Sequence, residues 1–297
     1  MRVSAAPAPR TAFVLGGGGL LGAYEVGMLQ ALVEAGVRPD LVVGSSVGAI
    51  NGAVIASDPT AATVTRLREM WSALGTDAVF GGSLVGQVVT AARTRTHLHD
   101  HTALRRLVEA HAPVGLIEEL PVPFQCVAAS LERASAHWFT AGPITEAVLA
   151  SASVPGLLPP LRIGAEHFLD GGLVDSIPVG RAVELGATEI YVLQVGRIER
   201  ELTVPRWPWE VGMVAFEIAR RSRYVEEMAA LPAHVRAHVL PTGEDSAPLA
   251  QLRYRDTSAV AERIERAHRA SAAYLREQAG GGATPGPDLA AEAAARD

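Results

Sequence analysis

The 297-residue chain has no lysine: all 26 of its Lys and Arg residues are arginine, and Asn51 is its one asparagine. Without lysine there is no Schiff base, no pyridoxal-phosphate anchor and no P-loop. A single cysteine, Cys126, excludes a disulfide framework and a thiolate metal cluster. It lies in the apolar run PFQCVAA and reads as a core residue. Basic residues form no run and the net charge is −6, so the footprint that nucleic acid selects is missing. No stretch approaches the roughly 18 uninterrupted apolar residues of a membrane span. The first ten residues lack the apolar middle of a secretory signal. The expectation is a soluble, cytoplasmic chain whose contact with a membrane is at most peripheral.

What is present suffices for a large core, since 48% of the residues are hydrophobic. TAFVL (11–15) is a short apolar run ending at Gly16, as a buried strand would. LLGAYEVGMLQALVEAG follows with helical spacing of Tyr24, Met28, Leu29, Leu32 and Val33, closed by Gly36. LVVG (41–44) and VGAINGAVIAS (47–57) repeat the strand-then-helix order. Such alternation predicts an α/β fold with a mostly parallel sheet and covering helices. Residues 59–120 read as a helical insertion with one long loop. The β/α rhythm returns with PFQCVAAS, ITEAVLASAS, HFLDGG, PVGRAVELG and IYVLQVG. RAHVLP reads as a last strand and SAVAERIERAHRASAAYLREQ as a last helix. The main domain is therefore placed at 11–278, between a flexible tail (1–10) and a Gly-, Pro- and Ala-rich disordered tail (279–297).

Two glycine motifs sit at the strand-to-helix turns. Gly17, Gly19 and Gly22 satisfy G-x-G-x-x-G, the pattern of dinucleotide-binding loops. That reading also requires an acidic residue after the second strand. Asp40 precedes LVVG instead, at the opposite edge of a parallel sheet from the loop. Gly44-Ser45-Ser46-Val47-Gly48 matches G-x-S-x-G, in which the central serine stands exposed on a sharp turn. Neighbouring parallel strands bring the two loops together. The N–H groups of Gly18 and Gly19 can then face the oxygen of a carbonyl attacked by Ser46, as an oxyanion hole.

A serine nucleophile usually has a histidine base, and the nine histidines are poorly placed for it. His97, His99 and His101 crowd into THLHDH, which reads as a solvated loop with Asp100 or Thr102 capping the next helix. No second ligand cluster accompanies them, so no metal is expected. Asp170, ending the apolar stretch of FLDGGLVDSIPV before Gly171 and Gly172, is the better base candidate. Spacing alone does not separate it from a surface Asp-Gly turn. Asp175 reads as a turn or cap residue ahead of Pro178.

Taken in order, GGGGLLG (16–22), GSSVG (44–48), ASASVPGLLPP (150–160) and DGGLVDSIP (170–178) resemble the patatin-like phospholipase family over roughly residues 11–200. The resemblance implies a three-layer α/β/α fold and calcium-independent hydrolysis of acyl esters without a cofactor. It implies a dyad of Ser46 as nucleophile and Asp170 as general base, with Gly17, Gly18 and Gly19 forming the oxyanion hole. Gly22, Gly44, Gly48, Gly171 and Gly172 are the remaining motif glycines. Two positions depart from the pattern. Leu21 stands where the family commonly carries Arg or Lys, which removes a cation near the loop, and Ser176 stands where Asn is frequent.

The expected substrate is a lipid or other fatty-acyl ester, with LLPPL (157–161) and GGSLVGQVV (81–89) as candidate channel walls. Trp207 and Trp209 are candidates for membrane contact. With Asp170 as base, activity is expected to fall below about pH 4, the unperturbed carboxylate range. A catalytically silent lipid-binding module on the same fold and an NAD(P)-dependent oxidoreductase remain the alternatives.

Overall fold

A computed structural model describes residues 10–74, 99–111, 115–195, 202–243 and 259–280. Its strands are β1 (Thr11–Leu15), β2 (Leu41–Ser45), β3 (Phe124–Ser130), β4 (Ser135–Phe139), β5 (Leu161–Ile163), β6 (Glu166–Asp170), β7 (Glu189–Leu193) and β8 (Arg236–Val239). They form one sheet in the order β5-β6-β3-β2-β1-β7-β8, with β4 also paired to β3. The run β3-β2-β1-β7-β8 is parallel, β4 and β6 run antiparallel to β3, and β5 runs antiparallel to β6. The helices are α1 (Ala23–Glu34), α2 (Val47–Ser57), α3 (Ala61–Leu74), α4 (Thr102–His111), α5 (Ile144–Ser151), α6 (Val179–Glu184), α7 (Pro208–Ala229) and α8 (Val260–Ala279).

Two apolar clusters lie on opposite faces of the sheet, and the period-two alternation of strands divides them. Phe13, Leu15 and Val42 pack with Met28, Leu29, Ile55 and Trp71 of α1, α2 and α3. Ala12, Val14, Leu41 and Val43 pack with Val179, Ala182 and Tyr224 of α6 and α7. The result is three layers, α/β/α. Burial on both faces explains why β1 and β2 read as continuous apolar runs.

One feature of β3 builds the site. Its first half pairs with β2, ending at Ser45 opposite Val127. Its second half pairs with β6, which runs the other way and ends at Asp170 opposite Ala128. β4 occupies the opposite edge of β3, from Cys126 to Ser130. β2 and β6 therefore share one edge and meet tip to tip, so that residues following both tips converge.

The last strand and last helix form at β8 and α8, as the sequence suggests, and Cys126 is fully buried. Helices α3 and α4 form within the 59–120 insertion. Its centre at 75–98, with GGSLVGQVV and His97, lies outside the described residues, as do 1–9 and 281–297. Helix α7 is not apparent from apolar periodicity. Its start is marked by Pro208 in the first turn and by Glu210, whose carboxylate accepts the N–H groups of Arg206 and Trp207.

Candidate active site

Strand β2 ends at Ser45 and α2 begins at Val47, which leaves Ser46 alone on the turn with φ 54° and ψ −123°. A non-glycine residue in this region costs on the order of 1–3 kcal/mol and persists only where its surroundings hold it. Here the Ser46 N–H donates to Ser151 Oγ at 2.9 Å, and its carbonyl accepts the Ala49 N–H at 2.9 Å. Gly48 allows α2 to approach β1: a Cβ there would lie 2.3 Å from the Leu15 carbonyl oxygen. Gly44 packs against the Gly48 backbone in the same way.

Ser46 Oγ donates to Asp170 Oδ2 at 2.6 Å, and Asp170 Oδ1 accepts the Gly172 N–H at 2.7 Å. The Asp170 N–H is held by the Ser153 carbonyl at 2.9 Å. Gly171 makes the strand ends fit, because a Cβ there would lie 2.2 Å from the Val127 carbonyl oxygen. Ser46 is 7% exposed and Asp170 1%. Burial pushes the Asp170 carboxyl up to about 6; its bonds to Ser46 and Gly172 and the positive charge of Arg220 oppose the rise. This corrects the expectation of an unperturbed value near 4, because desolvation disfavours the charged form.

The glycine loop lies beside Ser46, with a Cβ on Gly17 falling 3.2 Å from Ser46 Cβ. The Gly17 N–H is donated to the Ser176 carbonyl at 2.9 Å and in this conformation is not open to a substrate oxygen. The N–H groups of Gly18 and Gly19 have no acceptor among the described residues. Gly22 faces Val47 and Trp71, and Gly172 faces Phe216 of α7. Beneath the loop is a buried polar network. Asn51 Nδ2 reaches the Gly22 carbonyl at 3.1 Å and Glu25 Oε2 at 2.7 Å, and Trp71 Nε1 donates to Asn51 Oδ1 at 2.9 Å. Burial holds the Glu25 carboxyl well above the usual carboxylate range.

The Ser46 hydroxyl is bonded to a carboxylate and not to a histidine. His101 is not in a solvated loop: its Nε2 lies 2.9 Å from Ser153 Oγ, and His99 N–H donates to the Leu157 carbonyl. Asp100 does cap α4, accepting the Thr102 N–H at 2.9 Å. Asp175, ahead of Pro178, is a buried residue. It is 2% exposed, and burial and the nearby Glu227 push its carboxyl up to about 8. Leu158 and Leu161 of LLPPL belong to the core. Asp40 exchanges hydrogen bonds with Thr11 at the start of β1, at the far end of that strand from the glycine loop.

Sequence reasoning missed Ser151, Glu25, Trp71 and Arg220. The serine pair in ASASVPG and the lone asparagine were visible, but burial and long-range partners were not.

Fold and site together define a three-layer α/β protein with a hydrogen-bonded serine–carboxylate pair at a strained strand-to-helix turn. The profile of the patatin-like phospholipase family matches residues 13–183, more than half of the chain; the chain belongs to that family. It is 32% identical over 187 residues to lysophospholipase nte1 of Emericella nidulans, covering 63% of this chain and 12% of that protein. It is 34% identical over 182 residues to an uncharacterised NTE family protein of Mycobacterium tuberculosis, covering 60% of this chain and 47% of the other. The chain thus spans less than half the length of these relatives. Among solved structures it is similar to VipD from Legionella pneumophila, with TM-score 0.43 and 14% identity, covering 92% of this chain and 67% of that one.

Proposed function

We propose that the protein is a lipid acyl-ester hydrolase of the phospholipase A or lysophospholipase type, acting through Ser46 and Asp170 and a covalent acyl-serine intermediate. The observation that carries this reading is the 2.6 Å bond between Ser46 Oγ and Asp170 Oδ2 at a strained turn. A buried carboxylate tuned to about 6 is ionised at neutral pH and basic enough to accept a proton. Asp170 takes the Ser46 proton as Oγ bonds to the ester carbonyl carbon, and the carbonyl π pair moves onto oxygen. The N–H groups of Gly18 and Gly19 receive that oxyanion, a donor of this kind being worth about 10²–10³ in rate. The tetrahedral species collapses with departure of the alcohol, which regains the proton from Asp170. Water, deprotonated by Asp170, then releases the fatty acid and restores Ser46.

Family membership and the similarity to a lysophospholipase support a lipid ester as substrate. Peripheral membrane contact is supported by α7. At 100° per residue, Phe216 and Arg220 face inward, and Trp207, Val211 and Ile218 share the opposite face. These three are 56%, 54% and 55% exposed, and Arg206, beside Trp207, is an exposed cation suited to anionic headgroups. The side chain of Trp209 lies outside what the structure describes. No helix among the described residues is long and apolar enough to cross a membrane.

The test is covalent labelling by a fluorophosphonate, read by intact mass, beside a lysophospholipid panel. One adduct on the wild type, none on Ser46→Ala and a much slower one on Asp170→Asn support the dyad. Fatty-acid release from the panel supports the substrate class. A folded wild type that takes no label overturns the reading in favour of a silent lipid-binding module.

A further inference from the structure

Arg220 is a buried cation outside the dyad. The side chain is anchored on α7 and the residue is only 6% exposed. A guanidinium cannot shed its charge, and burying one costs several kcal/mol unless partners compensate. Its compensation is incomplete. Nε donates to Ser176 Oγ at 2.9 Å and Nη1 to Glu217 Oε1 at 3.1 Å. Glu217 is itself shared with Arg221, 3.3 Å from its Nε, and Arg220 Nη2 is buried with no acceptor among the described residues.

The link to Ser176 gives this charge a place in the site. Ser176 holds Gly17 through its carbonyl, which accepts the Gly17 N–H at 2.9 Å, and its Oγ lies 3.2 Å from where a Gly17 Cβ would be. The same Gly17 position is 3.2 Å from Ser46 Cβ. Hydrogen bonds therefore link Arg220 to Ser176 and Ser176 to Gly17, and Gly17 lies beside Ser46. The loop from Gly16 to Gly22 has no charged side chain of its own, so a cation for this edge of the site must come from another element.

We propose that Arg220 is a positioning residue for the Ser46–Asp170 reaction, fixing the Gly17 end of the oxyanion loop through Ser176 and giving the site its cation. The inference rests on the hydrolase reading above. During acylation the negative charge leaves Asp170, which gains the proton, and appears on the carbonyl oxygen beside the glycine loop. A fixed cation behind that loop favours the charge where it arrives, on the carbonyl oxygen, without having to reorient. Its loss weakens the transition state more than substrate binding, and it makes Asp170 harder to ionise.

The experiment uses the full chain and a soluble neutral ester, p-nitrophenyl butyrate, with kcat and KM measured from pH 4.5 to 9 and fluorophosphonate labelling in parallel. For Arg220→Gln the expected result is a fall in kcat of about 30-fold with KM within about twofold, and an acid limb displaced upward. Arg220→Lys, which keeps the charge but not the forked geometry, should restore the limb and only part of kcat. Ser176→Ala should lower kcat about tenfold and leave the limb in place. If Arg220→Gln fails to fold, the Lys and Ser176 variants decide the matter by the same criteria. A kcat within about twofold of wild type in these variants overturns the proposal, as does a kcat loss in Arg220→Gln with an unmoved limb. So does a change confined to KM. A wild type that takes no label overturns the hydrolase reading itself, which is a different failure.

Discussion

The Asp170 carboxyl sets the sharpest prediction, because one group must account for both a pH profile and a stability profile. Burial pushes it from an ordinary 3.8 up to about 6. In the proposed mechanism the ionised form is the base, so at pH 5 only about a tenth of the enzyme carries it, against more than nine-tenths for an unperturbed aspartate. On a soluble ester, kcat/KM should therefore fall about tenfold per pH unit below 6 and level off above 7. The midpoint lies close to that of an ordinary histidine, so the value alone does not identify the base. His101→Phe does: His101 bonds Ser153 next to Asp170, and the limb should survive its replacement. The second readout is stability. The native state holds this proton more tightly than the unfolded chain does. Its contribution is fully present below about pH 3.8 and is lost as pH rises through about 6. Asp170→Asn removes that loss, so relative to wild type it should gain roughly 3 kcal/mol between pH 4 and pH 8 in urea unfolding while activity disappears. A limb near pH 4, a limb abolished by His101→Phe, or an Asp170→Asn stability difference flat with pH would refute the reasoning.

Three further outcomes test the surroundings. Asn51→Ala strips partners from Trp71 Nε1, Glu25 and the Gly22 carbonyl, and should lower unfolding free energy by about 2–4 kcal/mol. Glu25→Gln, replacing a carboxyl whose charged form burial disfavours, should stay within about 1 kcal/mol of wild type in urea unfolding. On α7, replacing Trp207, Val211 and Ile218 together by Ser should weaken binding to anionic vesicles about 10- to 100-fold, from half-exposed side chains worth roughly 1 kcal/mol each. Hydrolysis of a soluble ester should remain within about twofold. Co-sedimentation and a parallel ester assay read both.

The parts legible in the sequence are those decided locally. The run TAFVL stops at Gly16, where the glycine loop leads into α1, and LVVG stops at Ser45, where the chain turns directly into α2. The α/β order and the exposed serine follow from that. Asp40 could be dismissed as a ribose ligand from strand order alone, and it does sit against Thr11 at the wrong end of β1. What the residues did not show was whatever depends on distant partners. Asp170 looked like any Asp-Gly turn until the four motifs were taken together. Its carboxyl range was misjudged because desolvation is a property of the packed site. Arg220 lies 174 positions beyond Ser46, on a helix whose polar residues partly face inward, and nothing in its local pattern sets it apart from the arginines beside it.

In the proposed mechanism an aspartate can stand in for histidine because one geometric event serves two needs. β6 arrives antiparallel on the β3 edge that β2 has just vacated, which brings the carboxylate within 2.6 Å of the serine. The same close approach, forced at Gly171 against Val127 and Ser45, shuts water out around the carboxyl. An exposed aspartate at its usual 3.8 would be a weak base for a serine proton; desolvation raises its basicity toward the working pH. The strain at Ser46 and the buried charge at Asp170 both work against folding, and the two apolar clusters on either face of the sheet hold them in place. The site is therefore expected to be the part of the fold where a loss of chemistry and a gain of stability come from the same substitution.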